Sequence, residues 1–256
     1  SLMVAAPAAA DAVARTARLE RLRVGLHLVL VSGVPCLPPT ELPVLTGGDG
    51  RFGDGLLGAG VRFCFSPTTR RELAREIRAQ FEAFRATGLA LDHVNAHRHM
   101  QLHPTVAALI FEIGRDYGMR ALRIPHEPLP LLRQAGASRS ERAVALGHAP
   151  MAALLRRSAR RHGLAINDRL LGLAWTGAMS ESRVLRLIDA LPPGVSELYL
   201  HPAVEQSAAL ARAMPHYRPV DELAALLSPA VRRRIEAEGV VLSAYADLAP
   251  ADREFR

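Results

Sequence analysis

Between Leu91 and Pro104 the chain reads LDHVNAHRHMQLHP, with His93, Asn95, His97, His99 and Gln101 at every second position and His103 close behind. Imidazole changes protonation near neutral pH and, when neutral, ligates divalent metals. Such a cluster suits a metal site or a proton-handling groove. In an extended strand the five residues share one face. Val94, Ala96, Met100 and Leu102 hold the other, which Arg98 interrupts. Strand residues four apart lie about 13 Å from each other, so His93 and His97 would not share an ion. Residues two apart lie about 6.6 Å apart at Cα, which permits shared ligation. In a helix, His93 and His97 would instead form an i, i+4 pair. The closing proline and the weak helical periodicity favour a strand or strand end. It leads into a helix from about 105 to 117, with Val106, Leu109, Ile110 and Ile113 inward.

Two other β-like segments carry candidate partners. LRVGLHLVLV, residues 22 to 31, reads as a buried strand whose ionisable side chains are Arg23 and His27. A buried imidazole needs partners for both ring nitrogens, so His27 is either a core histidine bonded to backbone or a metal ligand. In ELYLHP, residues 197 to 202, Glu197, Tyr199 and His201 alternate with Leu198 and Leu200. His201 would stand where a strand ends and a βα loop begins, the region that holds barrel active sites, or would be a loop-facing surface residue. Arg123 could orient an oxygen-rich ligand and Trp175 could stack on a sugar face. Either could equally serve packing.

Strands separated by helices or long loops argue for an α/β fold, and 256 residues without a linker argue for one domain over 1–256. TRRELAREIRAQFEAFRATG places Leu73, Ile77, Phe81 and Phe84 on one helical face, with Thr69 and Glu72 as a capping box and Gly88 closing the helix. Residues 135 to 161 read as helical with a break near Gly147 and Pro150. SESRVLRLIDAL and the stretches 220–228 and 230–238 are further helices, and MRALRIP, LAIND, LGLAW and VVLSAY are β-like. Residues 32 to 60, rich in Pro and Gly, form a long loop that carries Leu37, Leu42, Leu45 and Leu56.

All 32 basic residues are arginine, and the net charge is +7. The arginines are scattered and alternate with glutamate, without an aromatic-interleaved stripe, so a nucleic-acid partner is not expected. Charges or prolines interrupt each candidate membrane span, and Cys36 and Cys64 read as free thiols of a reducing compartment. The expected location is cytoplasmic.

The combination of VGLHLVLVSGVPCLPPTE with LDHVNAHRHMQLHP, ALRIPHEP and SELYLHP resembles the YdjC-like carbohydrate deacetylase family. The segment LAWTGAMSESRVLRLIDALPPGVSELYLHP is most similar to its hopanoid biosynthesis-associated branch, HpnK. The resemblance covers essentially the whole chain. It implies a modified (β/α) TIM-like barrel that removes acetyl groups from N-acetylated sugars with a divalent cation, Mg or Zn. The hopanoid branch implies a glycolipid substrate, an N-acetylglucosaminyl hopanoid, with peripheral contact at the inner membrane. With that lipid substrate, Leu37, Leu42, Leu45 and Leu56 either rim an apolar entrance or simply pack their loop. By motif matching, His27 and His97 would be the metal ligands. His93, Asn95 and His99 would line the same pocket, Asn95 standing where an aspartate is frequent. His201, with His99 second, would protonate the leaving amine, and Arg123, Trp175 and Glu197 would face the substrate. The family carries a DDFG-like motif on a strand upstream of the position of SLMV, and its aspartates would supply a third ligand and the general base. The expectation is therefore a barrel lacking its first strand, with weak or absent metal, little turnover and an exposed sheet edge that favours a homodimer. A noncatalytic sugar-binding protein and a metal-dependent hydrolase of another amide or glycosidic bond are the alternatives.

Overall fold

The computed structural model describes residues 1–16 and 18–248. The chain divides into two compact units. The first contains residues 1–123 and 154–166, and it resumes at Ala244. Its elements are α1 (Ala9–Thr16), β1 (Val24–Leu28), α2 (Leu56–Phe65), α3 (Pro67–Ala86), β2 (Leu91–Ala96) and α4 (Pro104–Asp116). β1 and β2 run parallel, with His27 opposite Asn95. A parallel pair needs a long crossover, which α2 and α3 provide. Single-residue bridges widen the sheet on both sides: Leu2 pairs with Leu26, Val94 with Leu122 and Ala121 with Ala165. The far edge of β1 thus carries Leu2 instead of lying bare. MRALRIP and LAIND contribute these bridges and no strand of their own.

α3 shows how the first unit fixes its long loop. The residue that caps the helix is Ser66, whose hydroxyl accepts the Thr69 N–H at 3.2 Å, so the expected Thr69–Glu72 box is not formed. Glu72 is occupied elsewhere, accepting the Val44 and Leu45 N–H groups, each at 3.0 Å. Glu76 accepts Cys36 N–H at 2.8 Å and Leu37 N–H at 3.0 Å, while Gln80 exchanges two bonds with the Val29 backbone. Leu73, Ile77, Phe81 and Phe84 are buried beside them as the periodicity predicts, and Gly88 follows the helix at φ +73°. Stapled in this way, the loop turns Leu42 and Leu45 into the core, with 0 % and 5 % exposure. They do not rim an entrance.

The second unit holds residues 124–153 and 167–243. It contains α5 (Leu129–Gln134), most of α6 (Arg139–Arg161), β3 (Arg169–Leu171), α7 (Glu181–Asp189), β4 (Ser196–Leu198), α8 (Ala208–Ala213), α9 (Pro219–Leu227) and α10 (Pro229–Ala237). β3 and β4 are parallel, with Leu170 opposite Glu197. Leu171, Trp175, Met179, Val184 and Leu187 belong to its core. α6 continues through Pro150, where the sequence predicts a break. Proline removes one ladder bond, but Ala145, Ala152, Leu155 and Ala159 keep a buried stripe along the helix that outweighs that loss. LGLAW turns away after β3, and VVLSAY forms no strand. Among the described residues, no helix is long and apolar enough to cross a membrane.

Candidate active site

β2 ends at Ala96, and residues His97–Leu102 form a short 3-10 segment. Within it Arg98 and His99 adopt left-handed backbone, with φ of 50° and 56°. For residues with a Cβ that conformation costs of order 1–3 kcal/mol each and tends to gather at functional sites. The strand expected through Gln101 therefore ends at Ala96. Just before the kink two imidazoles meet. The His97 ring meets the His27 ring edge-on, with centroids 5.8 Å apart at 71°.

A hydrogen-bonded chain supports His27 from behind. Its Nδ1 lies 2.5 Å from the Asn95 amide, which in turn lies 3.1 Å from His93 Nε2. His93 Nδ1 pairs with Asp92 Oδ2 at 2.8 Å, and Asp92 Oδ1 accepts the Ala246 N–H at 2.9 Å. The Tyr245 ring packs on His93 at 4.6 Å. Gly25 leaves room for this arrangement, since a Cβ there would come within 2.6 Å of the His93 ring and carbonyl. The Arg123 guanidinium nitrogens stand 3.2 Å from the Asn95 amide.

Burial pushes the His27 imidazole down to about 3, helped by His97 and Arg123 and opposed by the Asn95 hydrogen bond. Burial lowers His97 as well, with Arg98 adding to it. Burial alone would raise Asp92, yet its bonds to His93 and to the Ala246 N–H hold it below the usual carboxylate range. Near pH 7 both facing imidazoles are neutral, the form that ligates a metal. Among the described residues there is no group of three His, Cys, Asp or Glu side chains placed for one ion. The pair offers two imidazoles, fewer than the three protein ligands usual at a catalytic zinc.

Comparison with known proteins bears on this geometry. Residues 1–237 match the family model described as YdjC-like protein. The chain belongs to the YdjC-like family. It is 26 % identical to a carbohydrate deacetylase of Geobacillus stearothermophilus over 251 residues, covering 96 % of this chain and 84 % of the relative. It is 29 % identical to a mouse (Mus musculus) carbohydrate deacetylase over 264 residues, covering 94 % and 82 %. A crystal structure of a candidate cellobiose-phosphate cleavage protein from Enterococcus faecalis V583 superposes with a TM-score of 0.68 at 22 % identity, over 97 % of this chain and 86 % of that one. That likeness bears on the fold.

In this YdjC-like chain the remaining predicted site residues divide between the units. His27, His93, Asn95, His97, His99 and Arg123 belong to the first, and Trp175, Glu197 and His201 to the second. The His201 N–H donates to the Glu222 carboxylate, and its ring lies 4.7 Å from Tyr199 and 5.0 Å from Tyr217. Trp175 is 3 % exposed, with the Arg183 and Arg186 guanidinium groups 5.2 and 5.9 Å from its ring. Its burial supports a packing role. Two residues of the site escape the sequence reading. Strict alternation puts Asp92 on the opposite face, although its adjacency to His93 is a usable signal. Tyr245 lies too far along the chain for any local pattern to reveal it.

Proposed function

We propose that this chain is a metal-dependent carbohydrate N-deacetylase of the YdjC-like family, acting on an N-acetylated sugar carried by a lipid, in keeping with the hopanoid-associated HpnK branch. The observation that carries this reading is the meeting of two neutral imidazoles, His27 and His97, across a parallel strand pair. The carbohydrate-deacetylase names of the relatives support it. The structural superposition supports an α/β fold with parallel strand pairs.

His27 and His97 would hold the cation, magnesium or zinc. When bound, such an ion polarises an amide carbonyl and lowers the pKa of water. His93 and Asn95 orient His27 from behind, and Arg123 adds positive charge beside them. His99, on the kinked backbone after His97, is the candidate in the first unit for protonating the leaving amine, and His201 is the candidate in the second. An imidazole suits that step because it exchanges protons near neutral pH. Glutamine at each position separates the two: the true donor loses the alkaline limb of its pH–rate profile.

Peripheral contact with an anionic membrane is the second part of the proposal. Its support is α2, where Val61 and Phe65 are 62 % and 82 % exposed beside Arg62, together with the net charge of +7. Salt-dependent cosedimentation with anionic liposomes tests it, and no binding at low salt removes it. The enzyme reading is tested by acetate release from an N-acetylhexosamine glycolipid and by zinc titration. His27→Ala and His97→Ala each abolish both, and unchanged activity in both variants excludes the ligand assignment. Sugar binding without acetate release, with free sugar absent, selects the noncatalytic alternative.

A further inference from the structure

We propose that Asn95 is a positioning residue whose amide decides which ring nitrogen of His27 carries the proton, and that Arg123 holds the cation-free protein in the orientation that blocks ligation. The purpose of this device rests on the reading of His27 as a ligand; the device itself rests on the geometry around one side chain.

Asn95 is fully buried, so water does not relieve a wrong contact there. One of its two amide atoms lies 2.5 Å from His27 Nδ1. The other lies 2.7 Å from Ser1 Oγ, 3.1 Å from His93 Nε2 and 3.2 Å from both Arg123 terminal nitrogens. An amide presents an acceptor on one side and a double donor on the other, so the neighbours choose between two orientations.

With the oxygen toward His27, Nδ1 must donate and Nε2 keeps its lone pair. This is the ligating tautomer. The amide NH2 then reaches Ser1 Oγ and His93 Nε2 but also faces the guanidinium, donor against donor, and a guanidinium is always charged and accepts nothing. With the amide turned over, its NH2 donates to His27 Nδ1. Its oxygen accepts from Arg123, from Ser1 Oγ and from His93 Nε2. The amide's contacts with His27, Arg123 and Ser1 are then matched.

The consequence falls on His27. A neutral imidazole that accepts at Nδ1 carries its proton on Nε2, and with Nδ1 taken by Asn95 no ring nitrogen remains for a metal. Cation binding through His27 must therefore turn the Asn95 amide over against the preference of Arg123. A carboxylate at this position would remove the conflict, because both of its oxygens accept. It would take the His27 proton on Nδ1 and the guanidinium together.

The test is a long-range proton–nitrogen correlation spectrum of the histidine rings in uniformly 15N-labelled, metal-free full chain, which reports the protonated nitrogen directly. Wild type should show His27 with its proton on Nε2, and Asn95→Asp should show it on Nδ1. Adding zinc to wild type should move the His27 proton to Nδ1. Zinc affinity should rise about 10–100-fold in Asn95→Asp and fall by a similar factor in Asn95→Leu, the range usual for groups that orient a metal ligand. A His27 proton on Nδ1 in the metal-free wild type overturns the proposal, and so does one tautomer shared by wild type and Asn95→Asp. If the proton sits on Nε2 and zinc leaves the His27 and His97 signals unmoved, the amide assignment is supported and the ligand reading falls.

Discussion

Two sets of buried polar side chains do opposite work in this molecule. In the layer formed by β1 and β2, Asp92, His93, Asn95 and His27 bond side chain to side chain, and the chain ends on the ring that faces His97. On α3, and again in the second unit, buried carboxylates bond to backbone. Glu72 and Glu76 hold the loop before α2, Glu127 accepts the N–H groups of Gly172 and Ala174 at 2.6 and 2.8 Å, and Glu222 accepts those of Met179 and His201. A carboxylate whose oxygens are already filled by amide protons is fixing a loop. An imidazole held by one nitrogen is being aimed. Burial alone does not mark a catalytic group; what occupies the partner atoms does.

The largest expected effect breaks the comparison on the stability side. Glu76→Ala strands the Cys36 and Leu37 N–H groups and one amide proton of Gln80. Each orphan costs about 1–3 kcal/mol when fully buried and less for the part-buried Cys36 and Leu37 N–H groups, so the loss should reach about 3–6 kcal/mol in urea unfolding. His97→Ala should cost under about 1 kcal/mol, within the range of substitutions that leave no core cavity or orphan. A Glu76→Ala variant as stable as wild type would erase the distinction.

The second effect sharpens it, because the two sets favour opposite ends of the pH scale. His27 titrates near 3 in the folded chain, against 6.5 ordinarily. Its contribution is present above 6.5 and lost as pH falls toward 3, by up to about 5 kcal/mol. Burial raises Glu76, Glu127 and Glu222 despite their backbone bonds. For these, stability is present below 4.5 and lost as pH rises through the folded pKa. Urea midpoints measured from about pH 3 to 8 should show the acid-side loss shrinking in His27→Gln. In Glu127→Gln, stability relative to wild type should improve as pH rises above 4.5.

The third concerns room. Gly25→Ala puts a methyl 2.6 Å from the His93 ring and carbonyl, so either ring or strand must move. Overpacking of this kind costs about 1–3 kcal/mol. The histidine spectrum should show the His93 signals displaced along with those of His27. If only stability changes and both sets of signals stay, the rings are not linked through Asn95.

Periodicity makes the helices legible because each buries a stripe: Val106, Leu109, Ile110 and Ile113 are all buried in α4, as their spacing requires. It also identifies β1 and β2, and it brings His27 to the histidine-rich segment. It fails where local backbone chemistry overrides alternation. Nothing in HRHM announces two left-handed residues, Arg98 and His99, yet the strand ends at Ala96 just before them. Pro150 misleads for the converse reason, since tertiary packing carries a helix through a residue that breaks isolated ones. Leu42 and Leu45 are buried instead of rimming an entrance because Glu72, 27 residues from Leu45 and outside any local pattern, staples their loop. The Asp92 contribution is hidden by applying the period of two too strictly.

The smallest predicted effect asks whether a residue named for sugar contact belongs with the aimed groups or with the packed ones. Trp175 lies in the apolar core of the second unit, and the Arg183 and Arg186 guanidinium groups cover its ring. Stacking on a sugar needs an open aromatic face, and 3 % exposure leaves little. Trp175→Phe keeps an aromatic ring in that core and weakens the cation–π contacts, each worth about 0.5–1 kcal/mol at most sites. Stability should drop by about 1 kcal/mol while the affinity for an N-acetylhexosamine ligand stays unchanged. A loss of affinity at constant stability would move Trp175 to the ligand side. It would also show that an indole this deeply packed can still be uncovered for a ligand.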